Sequence, residues 1–396
     1  MQVDKMASTK LGMEQGNNEE DSNRSNSSNA LPLSSSGKKM KEDKDISPLD
    51  GDMLDIVSKK LVSFDDLFNF SAVCKEWRAV HKIYWRKFLE SQSPLIVQTT
   101  RNAKRFYSFY SIPEKRAYSS KLSYFRGKSY CGSSSGYLVM AGANNILQLM
   151  NPFTRKQKII DISVVRKDLT YFACRVLLAF TRDSDEFVLV ASCKRFLGLY
   201  VYHSRNSSWK TYSKRGHPWK VVDFVLFNNT IYVLTYKAEI GVLSLNSESL
   251  KFLKLKNTPN VPSWSYSLLS CDGELLVVDF VPNKVLDVYR IDWETMSYVK
   301  LQTLGERALF HSPYKCYALA NPGKWGFESN RVYSIDWDSI DRDSAECEVY
   351  SGSNNELVEC IMLAGSSREV RSRSTPYWLD WCFRNQHDEV DYSLVE

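Results

Sequence analysis

From residue 94 onward the chain repeats one pattern: short apolar runs of strand length, separated by turn residues, with helical periodicity gone. Residues 137–140, 146–150 and 158–162 form one set. Residues 175–180, 186–192, 197–203 and 209–213 form a second, and 221–227, 230–236, 240–245 and 251–255 a third. A fourth comprises 266–271, 274–281, 285–291 and 298–301, and a looser fifth runs through 308–310, 316–320, 331–335 and 346–350. Tight turns are legible at Asn228-Asn229, Cys271-Asp272-Gly273 and Pro282-Asn283. A rhythm of ~45 residues is that of a four-stranded propeller blade. Blades set around an axis bury both sheet faces and leave only short edges exposed. A β-sandwich is the competitor, but a sandwich of this length would split. The expected fold is an all-β propeller of about six blades across residues 95–385.

Two other regions precede it. Residues 1–45 contain no Phe, Trp or Tyr, and mix eight Ser and five Asn with charges. Such a segment buries too little surface to offset its ordering entropy, so a disordered tail is expected. Its basic run Lys38-Lys39-Met40-Lys41 is a weak nuclear import signal. Residues 46–90 read as three short helices. Met53, Leu54, Val57 and Leu61 fall at helical spacing, Ser63 and Asp66 suit a capping box ahead of Leu67 and Phe70, and Val73, Trp77, Val80, Tyr84 and Phe88 form a third stripe. So small a helical unit has a marginal core, and some of its apolar side chains are expected at an interface.

Composition bounds the function. Apolar residues make up 43% of the 396, enough for a large core, and no apolar run approaches the ~18 residues of a membrane-spanning helix. The N-terminus has neither a signal-peptide core nor an acid-poor presequence. Nine scattered cysteines without a CxxC argue for reduced thiols and against a structural zinc, placing the chain in cytoplasm or nucleus. The net charge of +6 is uneven: −1 over 1–45, 0 over 46–90, +11 over 91–175 and −4 over 176–396. Lys104, Arg105, Lys115, Arg116, Lys121, Arg126 and Lys128 cluster in the basic stretch, an expected sector for an acidic or phosphorylated partner; an ordinary solvated face is the plainer reading.

Candidate chemistry is sparse. Gly132-Ser133-Ser134-Ser135-Gly136 satisfies G-x-S-x-G, but a strand-like run follows it where a nucleophile elbow needs a helix, so a flexible Gly/Ser turn entering a blade is expected. The segment from Asp341 to Glu346 begins like a calcium loop but has Glu346 where the turn needs glycine. Cys74 reads as a small hydrophobe within its helix. No cofactor or metal is expected.

Residues 46–78 read ISPLDGDMLDIVSKKLVSFDDLFNFSAVCKEWR. This segment resembles an F-box: a leucine–proline start, here inverted as Pro48-Leu49, then a Leu-x-x-Ile-type helix, an Asp-Leu helix and Val73-Cys74-Lys75-Glu76-Trp77-Arg78. The downstream chain is similar to plant F-box proteins carrying a kelch-like propeller. The likeness is carried by GSSSGYLV from Gly132, LMNPF from Leu149, LSCDGELLV from Leu269, LGERALF from Leu304 and NRVY from Asn330.

The resemblance implies a non-catalytic substrate receptor of an SCF-type ubiquitin ligase. The F-box would bind a Skp-type adaptor, and through it a cullin scaffold, while the propeller would hold an unknown target protein. Matched to the motif, the adaptor contacts fall on Pro48, Leu49, Leu54, Val57, Leu61, Val73, Cys74 and Trp77; some of these side chains could equally hold the helices together. The alternatives are a nucleic-acid-binding or sugar-binding propeller, or a propeller hydrolase. Nucleic acid is the less favoured partner, because alternating strands also interleave aromatics with basic residues.

Overall fold

The computed structural model describes residues 49–61, 64–100, 106–121, 128–142, 145–154, 156–165, 174–181, 184–193, 199–213, 219–245, 247, 249–281, 284–335, 346–363, 376–383 and 388–390. The expected disordered tail, the Ser63 cap, the Pro282-Asn283 turn and residues 341–345 of the calcium-loop-like segment lie outside these residues, while Glu346 opens a strand. Three helices come first: α1 (Gly51–Ser58), α2 (Phe64–Ala72) and α3 (Lys75–Ser91). Strands follow in chain order. They are β1 Leu95–Thr100, β2 Phe106–Ser111, β3 Arg116–Lys121; β4 Ser129–Ser134, β5 Tyr137–Gly142, β6 Ile146–Met150, β7 Gln157–Asp161; β8 Cys174–Thr181, β9 Phe187–Cys193, β10 Leu199–His203, β11 Ser208–Ser213; and β12 Val221–Phe227, β13 Thr230–Thr235, β14 Ile240–Ser244, β15 Ser249–Phe252. The rest are β16 Ser267–Cys271, β17 Glu274–Val281, β18 Lys284–Asp292, β19 Ser297–Leu301; β20 Arg307–His311, β21 Cys316–Ala320, β22 Arg331–Ser334, β23 Glu346–Ser351, β24 Leu357–Met362; and β25 Pro376–Cys382 and β26 Asp388–Val390.

These strands form six sheets, the blades of a propeller. Neighbouring blades meet through their innermost strands: β25 with β4, β4 with β8, β8 with β12, β12 with β16, and β16 with β21. An inner strand is covered on both faces by adjacent blades, so it reads as a continuous apolar run; β12 is buried at all seven positions. Outer strands alternate or turn polar, as in β7, where only Ile160 is buried. The core is accordingly six clusters, each shared between two blades. One joins Val139 and Leu149 to Leu178 and Leu189, and another joins Leu234 and Ile240 to Leu268 and Val277.

Three features lie beyond the strand rhythm. Blade 1 is completed by β25, which pairs antiparallel with β1 in the register Ile96↔Trp381, so the two ends of the propeller segment share one sheet. Blade 6 has the order β21-β20-β22-β23-β24, with β20 and β22 parallel. The crossover between β21 and β22 contains a short 3-10 helix, Pro322–Trp325. Gly326 ends it at φ +79°, with its Cα so close to Pro113 that an added Cβ would lie 2.8 Å from the proline ring; only glycine fits. Finally, β26 pairs parallel with the end of β8, adding a fifth strand to blade 3.

The blades also meet through polar side chains on their inner strands. Asp223 of β12 accepts the Phe224 N–H at 2.9 Å with Oδ1. With Oδ2 it accepts the Leu268 N–H of β16 at 2.9 Å, and Arg175 of β8 lies 3.4 Å from the same oxygen. Ser134 of β4 accepts the Leu178 N–H of β8 at 2.9 Å. At the closing seam Asp380 of β25 is fully buried and accepts three donors, Ser312 Oγ at 2.5 Å and Trp381 N–H at 2.8 Å on Oδ1 and Tyr130 Oη at 2.5 Å on Oδ2, with Ser133 Oγ 3.3 Å from Oδ2. Burial nevertheless outweighs these donors and pushes the Asp380 carboxyl up from an ordinary 3.8 to about 6.

An aspartate whose folded pKa is raised favours folding when protonated. That advantage is complete below 3.8 and is lost as pH rises through about 6, a swing of about 3 kcal/mol. Asn cannot ionise, so relative to Asp380→Asn the wild-type chain should lose about that much stability between about pH 4 and about pH 7 in urea unfolding. A stability difference that does not change with pH would show that Asp380 stays ionised in the fold.

Candidate functional site

The helical unit holds itself together with few residues. Leu54 of α1, Leu67 and Phe70 of α2 and Phe88 of α3 are buried, and α3 packs against both other helices. Along α1, Leu54 and Ser58 face inward and Leu61, three residues on, is half-buried, the i, i+4, i+7 spacing of one helix face. Met53 and Ile56 fall on the other side and are 52% and 54% exposed. Val73, between α2 and α3, and Ile83 on α3 are also exposed.

The residues matched to the motif therefore divide. Leu54 is core. Val57, Leu61, Cys74 and Trp77 are half-buried, and the Trp77 ring lies 4.6 Å from Phe70 with a 42° tilt. Leu49 and Val73 are exposed, and Pro48 lies outside the described residues. The Cys74 thiol acts locally. It hydrogen-bonds Glu76, which lowers the Glu76 pKa at the start of α3, where the helix dipole favours a carboxylate. Periodicity does not single out Ile56 or Ile83. Their signal is negative, since they are apolar residues off the stripe that the core uses.

Of the clustered basic residues, the side chains of Lys115, Arg116 and Lys128 are described. Lys115 and Arg116 are exposed in the β2–β3 turn, at the opposite end of β3 from Lys121. Lys128 is half-buried just before β4, where its ammonium binds Gln148 Oε1, and burial lowers its pKa. Lys104, Arg105 and Arg126 lie outside the described residues, as does the side chain of Lys121.

The Gly132–Gly136 segment is a strand–turn–strand hairpin. Ser135 and Gly136 have φ of +50° and +73° and link β4 to β5. No nucleophile elbow is formed, because a strand follows the serines. The segment is also not the loose surface turn expected from composition, since all five residues are buried. Ser133 donates to Trp381 O at 2.7 Å, Ser134 accepts from an amide, and Ser135 donates to Leu178 O at 2.6 Å and accepts the Asp388 N–H at 3.2 Å. The serines thus join blades 1, 2 and 3 to the C-terminal strand β26.

Three buried thiols, Cys271, Cys316 and Cys347, are held protonated. Burial pushes Cys271 up to about 11 and Cys316 higher still, which removes thiolate character. Among the described residues no three His, Cys, Asp or Glu side chains converge to hold a metal ion, and no helix is long and apolar enough to cross a membrane.

Comparison with known proteins agrees with this architecture. An Arabidopsis thaliana protein, provisionally named as an F-box protein, is 22% identical over 338 residues, covering 74% of this chain and 89% of its own length. Virginiamycin B lyase from Staphylococcus aureus superposes with a TM-score of 0.35 at 11% identity, over 52% of this chain and 66% of that one, too slight a likeness to carry an argument. A family profile described as the KIB1-4 beta-propeller matches residues 109–353, more than half of the chain. The chain belongs to the KIB1-4 beta-propeller family, with a small helical unit consistent with an F-box ahead of the propeller.

Proposed function

We propose that the chain is the substrate-receptor subunit of an SCF-type ubiquitin ligase, with no catalytic site of its own. Its helical unit takes a Skp-type adaptor, which links it to a cullin scaffold, and its propeller takes the protein to be modified. The observation that carries the reading is the apolar surface of the helical unit. Leu54, Leu67, Phe70 and Phe88 already fill its core, yet Met53, Ile56, Val73 and Ile83 remain exposed. Exposed apolar side chains concentrated on so small a unit mark an interaction surface, and a helix-in-groove contact would cover them. The motif-matched residues Pro48, Leu49, Val57, Leu61, Val73, Cys74 and Trp77 join this proposed surface, with Leu54 supporting it from within. Nine scattered cysteines without a CxxC suit a reducing compartment, cytoplasm or nucleus.

Co-expression of the full chain with a plant Skp adaptor should give a complex that survives purification. Met53→Glu combined with Ile56→Glu should weaken capture of the adaptor at least ~tenfold, the loss expected when anchors at an interface centre are replaced. The urea midpoint of the propeller should not move. Full adaptor binding by the double variant would remove the basis of the reading.

A further inference from the structure

Blades 4 and 5 display an aromatic pair at one end of their strands. Tyr236, directly after β13, and Trp264, ahead of β16, stack with centroids 5.1 Å apart and planes 19° from parallel. Trp264 is 45% exposed and nearby Val261 is 70% exposed. The Lys220 ammonium stands 5.2 Å from the Tyr236 ring centre and 5.3 Å from that of Trp264, and Lys237 stands 5.8 Å from Tyr236. Among the described residues neither lysine forms an ion pair with a carboxylate. Two acids lie close by and are engaged: Glu239, in the turn that carries Tyr236, accepts from Thr235, and the buried Asp279 hydrogen-bonds Ser263, while Asp287 pairs with Lys300 and Glu274 binds Arg290 and Arg307.

The display is rigid. Tyr236 N–H donates to Lys220 O at 2.9 Å, Ser263 N–H donates to Tyr236 O at 2.7 Å, and Tyr266 Oη donates to Val261 O at 2.7 Å. Thr235 Oγ1 accepts the N–H groups of Lys237 and Glu239, closing the turn that carries Tyr236. The rings and both lysine backbones are therefore fixed before any partner arrives, which lowers the ordering entropy that binding must overcome. The blade 4–5 core lies beneath, built from Leu234, Ile240, Leu268 and Val277, so sealing that seam does not require Trp264 to stand in solvent.

We infer that this face is the docking surface for an acidic polypeptide segment carrying a large apolar side chain, which would lie on Trp264 and Val261 while its carboxylates meet Lys220 and Lys237. The inference rests on the receptor reading for the occupant's being a protein. Charge decides the sign of the partner. The cation position over the aromatic pair is already filled by Lys220, so a basic or methylated-lysine segment would meet like charge, whereas a carboxylate would pair with two ammoniums that no described carboxylate bridges. Trp and Tyr flanked by cations are also the composition of binding hot spots.

The test uses the full chain co-expressed with its adaptor, titrated by fluorescence anisotropy against three labelled probes. These are a peptide with a Glu-Trp-Glu-Leu-Glu core, the same peptide with Lys for every Glu, and oligo(dT). The acidic peptide should bind at least ~tenfold more tightly than either other probe. Trp264→Ala should weaken it at least ~tenfold, as should Lys220→Glu with Lys237→Glu. Trp293→Ala is the control: Trp293 stacks on Phe227 at the other end of these strands, is 36% exposed, and among the described residues has no lysine over its ring. It should change nothing. Absent binding of the acidic peptide, equal binding of the two peptides, preference for oligo(dT), or an unaffected Trp264→Ala would each overturn the inference. Adaptor retention is read in the same preparations. If the adaptor is lost while the acidic peptide still binds, the receptor reading fails and this surface stands; if the adaptor is held and the peptide ignored, the reverse holds.

Discussion

Ring closure is the constraint on which the rest of this molecule depends. A blade is apolar on both faces, so no blade is stable until it has a neighbour on each side, and the first has one only when the last arrives. The seam between blades 6 and 1 meets that requirement with density. Trp381 is fully buried, its ring lies 5.0 Å from Phe310 in an edge-on contact, and its indole N–H donates to His311 O at 3.0 Å. Phe310 in turn stacks on Tyr333 at 5.2 Å. Because β25 sits inside blade 1, the ring is closed by strand pairing within that blade as well as by side chains across the seam, so closure and the formation of blade 1 are one event.

Inner strands raise a second problem, the unpaired backbone groups on their free edges. The chain answers it with short polar side chains: Asp223 and Ser134 each take an amide from the next blade, and Asp380 takes hydroxyls from blades 2 and 6. Burying a carboxylate is costly, and the raised pKa of Asp380 records that cost. The Gly132–Gly136 segment belongs to the same arrangement. Its serines resemble a nucleophile motif only in spacing; their hydroxyls are spent on neighbouring backbone. The helical unit is built the opposite way, with a minimal core and apolar side chains left outside, which suits a module completed by another protein.

Much of this was legible in the sequence because blade strands are local. Asn228 and Asn229 lie at φ +46° and +59°, and Asp272 and Gly273 at +52° and +71°, the turns their residue types require. What escaped was non-local. The strands of blade 1 are rich in Tyr, Ser and charge, and their inner partner β25 comes far later in the chain, so no nearby rhythm announced them. The parallel β20–β22 pair in blade 6 has no local signature either, since strand order across a crossover is decided by packing. At the helical unit the motif residues were readable, but their split into buried Leu54, half-buried Val57 and Trp77, and exposed Leu49 and Val73 needed the packed helices.

Native-state hydrogen exchange across a range of urea concentrations tests closure most directly. The amides of Trp381, Leu178, Phe224 and Leu268, all donating to inner-strand side chains, should exchange only through the global opening. The amides of β1 opposite β25 should share that same opening free energy and urea slope. Protection of β1 and β25 through a separate, lower opening, while β12 and β16 stay closed, would contradict the account, because blade 1 could then come apart without opening the ring.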